Sequence, residues 1–383
     1  METVKSDLDW IETQFEEMVA LAESWSNINT HASNVTGLKL FLDKLELAFR
    51  TLEPDEMQRY DFDTSPLLFL KKRASAPLQL FLGGHTDTVF APDHPFQKVT
   101  YLNDRRLQGP GIFDMKGGIV ILLKTMQAIE RSPFAKDVGW TIVLNADEEE
   151  GSLHSTPFIQ KCAKGCHCAL FFEPTLPGDV FVSFRKGSIN YRVESRGKAA
   201  HVGRNLAEGK NAIVPLARFI CALSEYALPQ EKGWFNIGTI KGGDAANIVP
   251  PHAQCELNFR APDEGAIEEF EKKLHALTSV EKLHLSRLSL RPPKLFTPET
   301  EALFQILKSC GQILRRDIKW EGTGGACDGN TTAALGIPTI DTLGVSGGKA
   351  HTDSEFIELD SLTKQAKLAA LLIEQLSAQW PKH

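Results

Sequence analysis

Short unbroken apolar runs alternate with stretches whose apolar residues recur every three or four positions, and this governs roughly the first half of the chain. Residues 5–28 place Leu8, Ile11, Phe15, Met18, Val19 and Ala22 at helical spacing, and 38–52 repeats the pattern. Continuous apolar runs at about 66–70, 77–84, 140–146 and 168–172 have the length and continuity of strands buried on both faces. Residues 118–126 read as a buried helix, with Gly117 and Gly118 allowing close packing at its start. Strands alternating with helices predict an α/β fold, a mostly parallel sheet with helices on both faces.

The pattern changes near Val182. Residues 188–195 alternate at strand period, and 211–227 present a helical apolar face of Ile213, Leu216, Ala217, Ile220, Cys221 and Leu223. Two strands at 234–241 and 253–260 flank a loop holding Gly242-Gly243 and Pro250-Pro251. A second amphipathic helix at 264–277 and an alternating run at 283–290 complete the order strand, helix, strand, strand, helix, strand. That order is the ferredoxin-like split βαβ arrangement. After Pro292-Pro293 the first pattern returns, with a helix at 299–314, a strand at 339–343 among glycine-rich loops, and a closing helix at 359–380. The expected organisation is one domain formed by 1–182 and 293–383, with 183–292 inserted as a smaller α+β module.

Composition narrows the function. A chain of 383 residues exceeds one ordinary core, and a net charge of −7 with no basic cluster gives no reason to expect nucleic acid. No run approaches the roughly 18 apolar residues that span a bilayer. The acidic N-terminus lacks the basic segment and apolar core of a signal peptide, so the expected compartment is the cytoplasm. Seven scattered cysteines argue against a disulfide framework. Cys162, Cys166, His167 and Cys168 lack a second ligand pair at matching distance, so ordinary reduced thiols are expected there rather than a zinc knuckle.

The chemistry lies in the loops. His85 and Asp87 follow directly on an apolar strand, Asp114 sits in a glycine-flanked loop, Glu148-Glu149-Glu150 follow Asp147 at a strand end, Glu173 follows another strand, and His351 comes late. In an open α/β sheet the loops after parallel strands gather on one side, where ligands bind. Adjacent acids repel one another unless a cation sits among them. Five hard or borderline ligands on that side point to a metallohydrolase with two ions sharing a carboxylate. Asp87, two residues beyond His85, can fix the imidazole tautomer. The glycines of 322–330 predict positive φ and exposed N–H groups suited to a substrate carboxylate, while the lysine and spacing of a P-loop are missing.

These same residues carry a resemblance. The runs Gly83-Gly84-His85-Thr86-Asp87-Thr88-Val89, Gly109-Pro110-Gly111-Ile112-Phe113-Asp114-Met115-Lys116-Gly117-Gly118, Asp147-Glu148-Glu149-Glu150-Gly151-Ser152, Phe172-Glu173-Pro174-Thr175 and Gly197-Lys198-Ala199-Ala200-His201-Val202-Gly203 resemble the M20 metallopeptidases, in order along nearly the whole chain. That family includes glutamate carboxypeptidases, acetylornithine deacetylase, succinyl-diaminopimelate desuccinylase and aminoacylases. The resemblance implies a zinc-peptidase-like catalytic domain with an inserted lid and dimerisation domain, and two Zn2+ ions, with Co2+ or Mn2+ able to take their place. Asp114 would bridge the ions, His85 and Glu173 completing one and Glu149 and His351 the other. Glu148 would be the general base and Asp87 the orienter of His85. A cis peptide is implied at Asp114-Met115. His201 would act across a homodimer, and Arg260, Arg291 and Asn247 would hold the substrate. The implied substrate is a small peptide or N-acyl amino acid with a free carboxylate. Glutamate-carboxypeptidase-like C-terminal cleavage ranks first, and N-acyl-amino-acid deacylation of the acetylornithine or succinyl-diaminopimelate kind is the alternative. A binding protein that had lost catalysis would lack Glu148 or a ligand, and here none is missing.

Overall fold

Strand Leu78–His85 carries the fold's logic in its alternation. Leu80 and Leu82 enter one apolar core while Phe81 enters another on the opposite face of the sheet. The neighbouring strand Val138–Asn145 is buried along its whole length. A strand covered on both faces has no polar positions to offer, which explains the unbroken apolar runs. The computed structural model describes residues 2–62 and 65–379. The full sheet runs in the order Glu56–Phe62, Ser65–Lys72, Val138–Asn145, Leu78–His85, Cys168–Phe171, Thr339–Ile340. The first two pairings are antiparallel and the remaining three parallel, so the sheet is mixed and mostly parallel.

Helix Gly117–Arg131 packs on the larger core together with Val35–Phe49, Pro298–Ile313 and Ser361–Gln379. Its approach is set by Gly118, where a Cβ would lie 1.9 Å from the carbonyl oxygen of Phe172. Only glycine lets the helix start so close to the neighbouring strand end. Side-chain caps fix other starts: Asn34 accepts from the N–H of Gly37, and Thr297 accepts from Thr300 with Pro298 in the first turn.

The chain divides into two compact units, one of Met1–Phe184, Leu295–Gly322 and Cys327–His383, the other of Arg185–Lys294 and Thr323–Ala326. The second unit is an antiparallel sheet ordered Trp234–Gly242, His252–Ala261, Gly187–Arg196, His284–Arg291. In chain order this is 2-3-1-4, the ferredoxin-like pairing. Helices Ile213–Ser224 and Glu264–Glu281 bury Leu216, Phe219, Phe270 and Leu274 against Ile189, Tyr191, Leu257 and Phe259. The other face of the same strands is polar. There Asn258 Nδ2 donates to Ser188 Oγ (3.0 Å) and Asn190 Oδ1 (2.8 Å), and Asn190 Nδ2 donates to Ser289 Oγ (2.8 Å).

Several elements differ from the sequence reading. The single helix expected over 5–28 is two, Glu2–Thr13 and Phe15–Ser26, broken at Gln14. The apolar period runs through the break because both helices turn the same face to the core. Strand Glu56–Phe62 was not anticipated, since an edge strand with half-exposed positions shows no apolar run. Helix Thr156–Ala163 is too short to display a period. The strand expected over 339–343 ends at Ile340, beyond which the parallel pairing gives way to an isolated antiparallel bridge between Phe172 and Thr342, with the Thr175 hydroxyl set between the carbonyls of Thr342 and Gly344. The expected end of the last helix at Trp380 lies outside the described residues. Among the described residues no helix is long and apolar enough to cross a membrane.

Candidate metal centre

His85 is the last residue of its strand, and the backbone directs its ring into a pocket where the ring is 1% exposed. Asp114 lies in the turn before helix Gly117–Arg131, where Gly111 takes φ +66° and Asp114 itself is non-helical, at φ −119° and ψ 95°. The Asp114-Met115 peptide is cis. His85 Nε2 is 3.0 Å from Asp114 Oδ1 and 3.8 Å from Glu173 Oε2. On the other side of the same carboxylate, His351 Nε2 is 3.4 Å from Asp114 Oδ2 and 3.3 Å from Glu149 Oε1. One aspartate thus turns each oxygen to a different histidine, and each histidine has its own glutamate. Residues from five separate segments of the chain meet here.

The surrounding contacts hold these groups in place. His85 Nδ1 faces the main-chain oxygen of Asp87 at 3.1 Å and its Oδ1 at 3.3 Å, leaving Nε2 toward Asp114. The second oxygen of Asp87 accepts the Glu149 N–H at 2.9 Å, so this one carboxylate links two arms of the cluster. Asp147, first of the four consecutive acids, does something else. Its Oδ2 accepts the N–H groups of His154 (2.9 Å) and Ser155 (3.1 Å), which shapes the turn that presents Glu148 and Glu149. The charge at Asp147 is therefore met by backbone, a partner that sequence spacing does not reveal. Glu148 is buried within this turn, and the Gly151 N–H donates to its carbonyl. His351 sits on a left-handed backbone, φ +61°, uncommon for a residue other than glycine.

The electrostatics call for positive charge. Burial alone would disfavour the His85 imidazolium, yet the charges of Glu173, Asp114 and Asp87 raise its pKa well above the ordinary histidine value. His351 is pushed up to about 10 by the adjacent carboxylates of Asp114 and Glu149, against a smaller opposing effect of burial. Asp114 is held below its usual range by the two histidines, although burial pulls the other way. Glu149 Oε1 is buried without a hydrogen bond. Imidazole nitrogens and carboxylate oxygens at this spacing fit a divalent cation of the zinc type. Among the described residues, His85, Asp114 and Glu149 bring one ligand atom each within 4.8 Å of one another.

Residues 81–375 match the family model described as Peptidase family M20/M25/M40. The chain belongs to this family. It is 28% identical over 313 residues to carboxypeptidase G2 of Pseudomonas sp. (strain RS-16), covering 78% of this chain and 74% of the relative. It is 25% identical over 361 residues to succinyl-diaminopimelate desuccinylase of Methylococcus capsulatus (strain ATCC 33009 / NCIMB 11132 / Bath), covering 87% and 93%. In fold it is similar to the M20 family metallo-carboxypeptidase Sso-CP2 of Sulfolobus solfataricus, with a TM-score of 0.75 at 15% identity, covering 95% of this chain and all of the other. The M20 assignment makes the chain a peptidase-family hydrolase.

The remaining residues singled out in the M20 motifs lie in the second unit. His201 is exposed, and its Nδ1 accepts the Gly203 N–H at 3.1 Å, which leaves the proton on Nε2. Asn247, also exposed, is its neighbour through the bridge between His201 and Ile248 and the bond from Val202 N–H to the Asn247 carbonyl. Arg260 and Arg291 both pair in register with Ser188 on the strand between them, so they share one face of the sheet. Arg260 Nε donates to Asn258 Oδ1 at 2.9 Å, which fixes the guanidinium.

One expectation about loops is corrected. None of the glycines of 322–330 takes positive φ. They serve close approach instead: a Cβ at Gly324 would lie 2.8 Å from Trp234, and one at Gly329 would lie 2.7 Å from Asp341. Carbonyls of this loop face cations, Arg260 reaching the oxygen of Gly324, Arg185 that of Gly325 and Arg291 that of Ala326, each at 3.4 Å. Arg185 was not singled out, because nothing in a strand-end arginine marks its partner. All seven cysteines are free. Burial pushes the thiols of Cys162 and Cys166 up to about 11 and 12, and His167 Nδ1 accepts the Gln79 N–H at 2.9 Å.

Proposed function

We propose that this chain is a dizinc amidohydrolase of the M20 type that cleaves an amide bond in a small substrate bearing a free carboxylate, by glutamate-carboxypeptidase-like removal of a C-terminal residue. The observation that carries this reading is the central carboxylate of Asp114, shared between His85 with Glu173 and His351 with Glu149. These five residues would hold the ions, Co2+ or Mn2+ being able to replace zinc. Bound there, two divalent cations would polarise the scissile carbonyl and make a bound water acidic at neutral pH.

Glu148, buried beside Glu149, takes the proton of that water and returns it to the departing amine. Asp87 holds the His85 ring in the tautomer that turns Nε2 to Asp114. Arg260 binds the substrate carboxylate, with Arg291 beside it on the same sheet face and Asn247 as a further polar contact. His201 offers Nε2–H to the carbonyl oxygen as it gains charge.

A homodimer through the second unit accounts for Val202, Leu206, Ile213, Ile240 and Ile248, all exposed around the edge strand Trp234–Gly242. Free thiols suit a reducing compartment, the cytoplasm. N-acyl-amino-acid deacylation is the second reading, favoured by the similarity to succinyl-diaminopimelate desuccinylases. A panel of C-terminal glutamyl peptides, N-acetyl amino acids and N-succinyl amino acids, assayed with chelator and after zinc is restored, tests both. Hydrolysis that is lost and regained, with glutamyl peptides preferred, is the expected result. Turnover indifferent to chelation would remove the metal from the reaction.

A further inference from the structure

Glu355 lies four residues beyond His351 and is 1% exposed. Its Oε1 accepts two main-chain N–H groups, from Phe113 at 2.8 Å and from Asp114 at 3.1 Å. Its own carbonyl accepts the Gly109 N–H at 3.1 Å, and its N–H donates to the Thr352 carbonyl at 3.0 Å. The strand that follows, Phe356–Glu358, pairs with Arg106–Gln108 just before the Asp114 turn.

We propose that Glu355 is a positioning residue that locks the Asp114 turn to the His351 segment, so that one carboxylate can serve both halves of the metal centre. The inference rests on the metal-site reading above. The reason is geometric. Asp114 and His351 are far apart in sequence, and the two oxygens of Asp114 reach both histidines only while its backbone holds one orientation. A carboxylate oxygen gripping the N–H groups of Phe113 and Asp114 supplies that orientation, and its place on the His351 segment ties the second histidine to the same frame. Outer partners of metal ligands commonly act this way, and losing one costs about 10–100-fold in metal affinity or activity.

The test measures Zn2+ affinity by competition with a chromogenic chelator and the visible absorption of the Co2+ form, alongside kinetics. Glu355→Ala should bind Zn2+ about 10–100-fold more weakly, with an altered Co2+ spectrum, a lower kcat and a KM within about twofold of the parent. Glu355→Gln keeps the acceptor oxygen and should restore Zn2+ affinity to within about threefold. If the alanine protein does not fold, Glu355→Asp, whose carboxylate stops one methylene short, should show the same weakening. Affinity and Co2+ spectrum unchanged in the alanine or aspartate protein would overturn the proposal, as would a glutamine variant as weak as alanine. A parent chain that binds neither Zn2+ nor Co2+ would instead overturn the metal-site reading, and this inference with it.

Discussion

Helix Gly117–Arg131 has a carboxylate at each end, and the two are treated in opposite ways. Glu130, in the last turn, is gripped by four donors. Its Oε1 accepts from Arg73 Nη2 and from Trp140 Nε1 at 2.8 Å, and its Oε2 accepts from Lys72 Nζ at 2.8 Å and Arg73 Nη1 at 2.9 Å. A negative charge is unfavourable at a helix C-terminus, and here two cations of the chain offset it. The carboxylate of Asp114, before the first turn, meets the rings of His85 and His351. Four carboxylates, Asp87, Asp114, Glu149 and Glu173, face two imidazoles. The contrast separates two uses of a buried acid. Where the chain supplies matching arginine and lysine, the cluster is finished on folding and contributes stability. Where it supplies more acid than cation, around two imidazoles whose pKa values are raised, the cluster has the donor set that fits a cation from outside.

The largest effect that would test this division is catalytic. Glu148→Gln should retain bound zinc and lower kcat by about 10³-fold, because an amide cannot take the water's proton. A kcat within a few-fold of the parent, at equal zinc content, would end Glu148's role as base. Next, saturating Zn2+ should raise the stability of the parent by about 4 kcal/mol at a thousandfold excess over Kd, read as a rise in Tm. Asp114→Asn should remove most of that rise, and Glu130→Gln should leave it intact. If Glu130→Gln abolished it as well, the two ends of the helix would not be distinct.

The reciprocal effect is smaller. Glu130→Gln should cost about 1–3 kcal/mol in denaturant unfolding without zinc, less than a fully enclosed ion pair because this one keeps partial contact with water. The smallest effect is its pH dependence. Burial alone would raise the Glu130 pKa, but Arg73, Lys72 and Trp140 outweigh it and hold the carboxyl below the ordinary value of 4.5. A group lowered in the folded state contributes fully above its unfolded pKa and loses that contribution as pH falls through the folded one. The gap in Tm between the parent and Glu130→Gln should therefore be constant near neutrality and narrow below about pH 4.5. A gap that widened on acidification would contradict the ion-pair account.

Much of this was legible beforehand where local pattern and tertiary role coincide. A strand buried on both faces has to be mostly apolar, so 78–85 and 138–145 announced themselves, and the alternating strands of 187–291 did the same for the second unit. His85, Asp114, Glu149 and Glu173 stood out because polar ligand types directly after an apolar run or on a glycine turn have few structural reasons to be there, and His351 was named by the M20 resemblance. Residues whose partner is backbone left no such mark. Asp147 read only as the first of a run of adjacent acids and is a turn builder. Glu355 drew no attention in the sequence, yet it grips the Asp114 turn. The glycines of 322–330 suggested positive φ, when what they permit is contact with Trp234 and Asp341.

The sequence alone determined the kinds of element, the two apolar periods that distinguish a mostly parallel sheet from an antiparallel one, and the family. These depend on side-chain hydrophobicity at short spacing, which the chain states directly. Tertiary structure alone decided which oxygen of Asp114 each histidine takes, that Asp87 ties the His85 ring to the Glu149 backbone, and that Glu130 is matched by cations of its own chain while Asp114 is not. Those outcomes rest on distances of about 3 Å between residues tens to hundreds of positions apart. No local pattern encodes such distances, because they are fixed only when the sheet and its helices have packed.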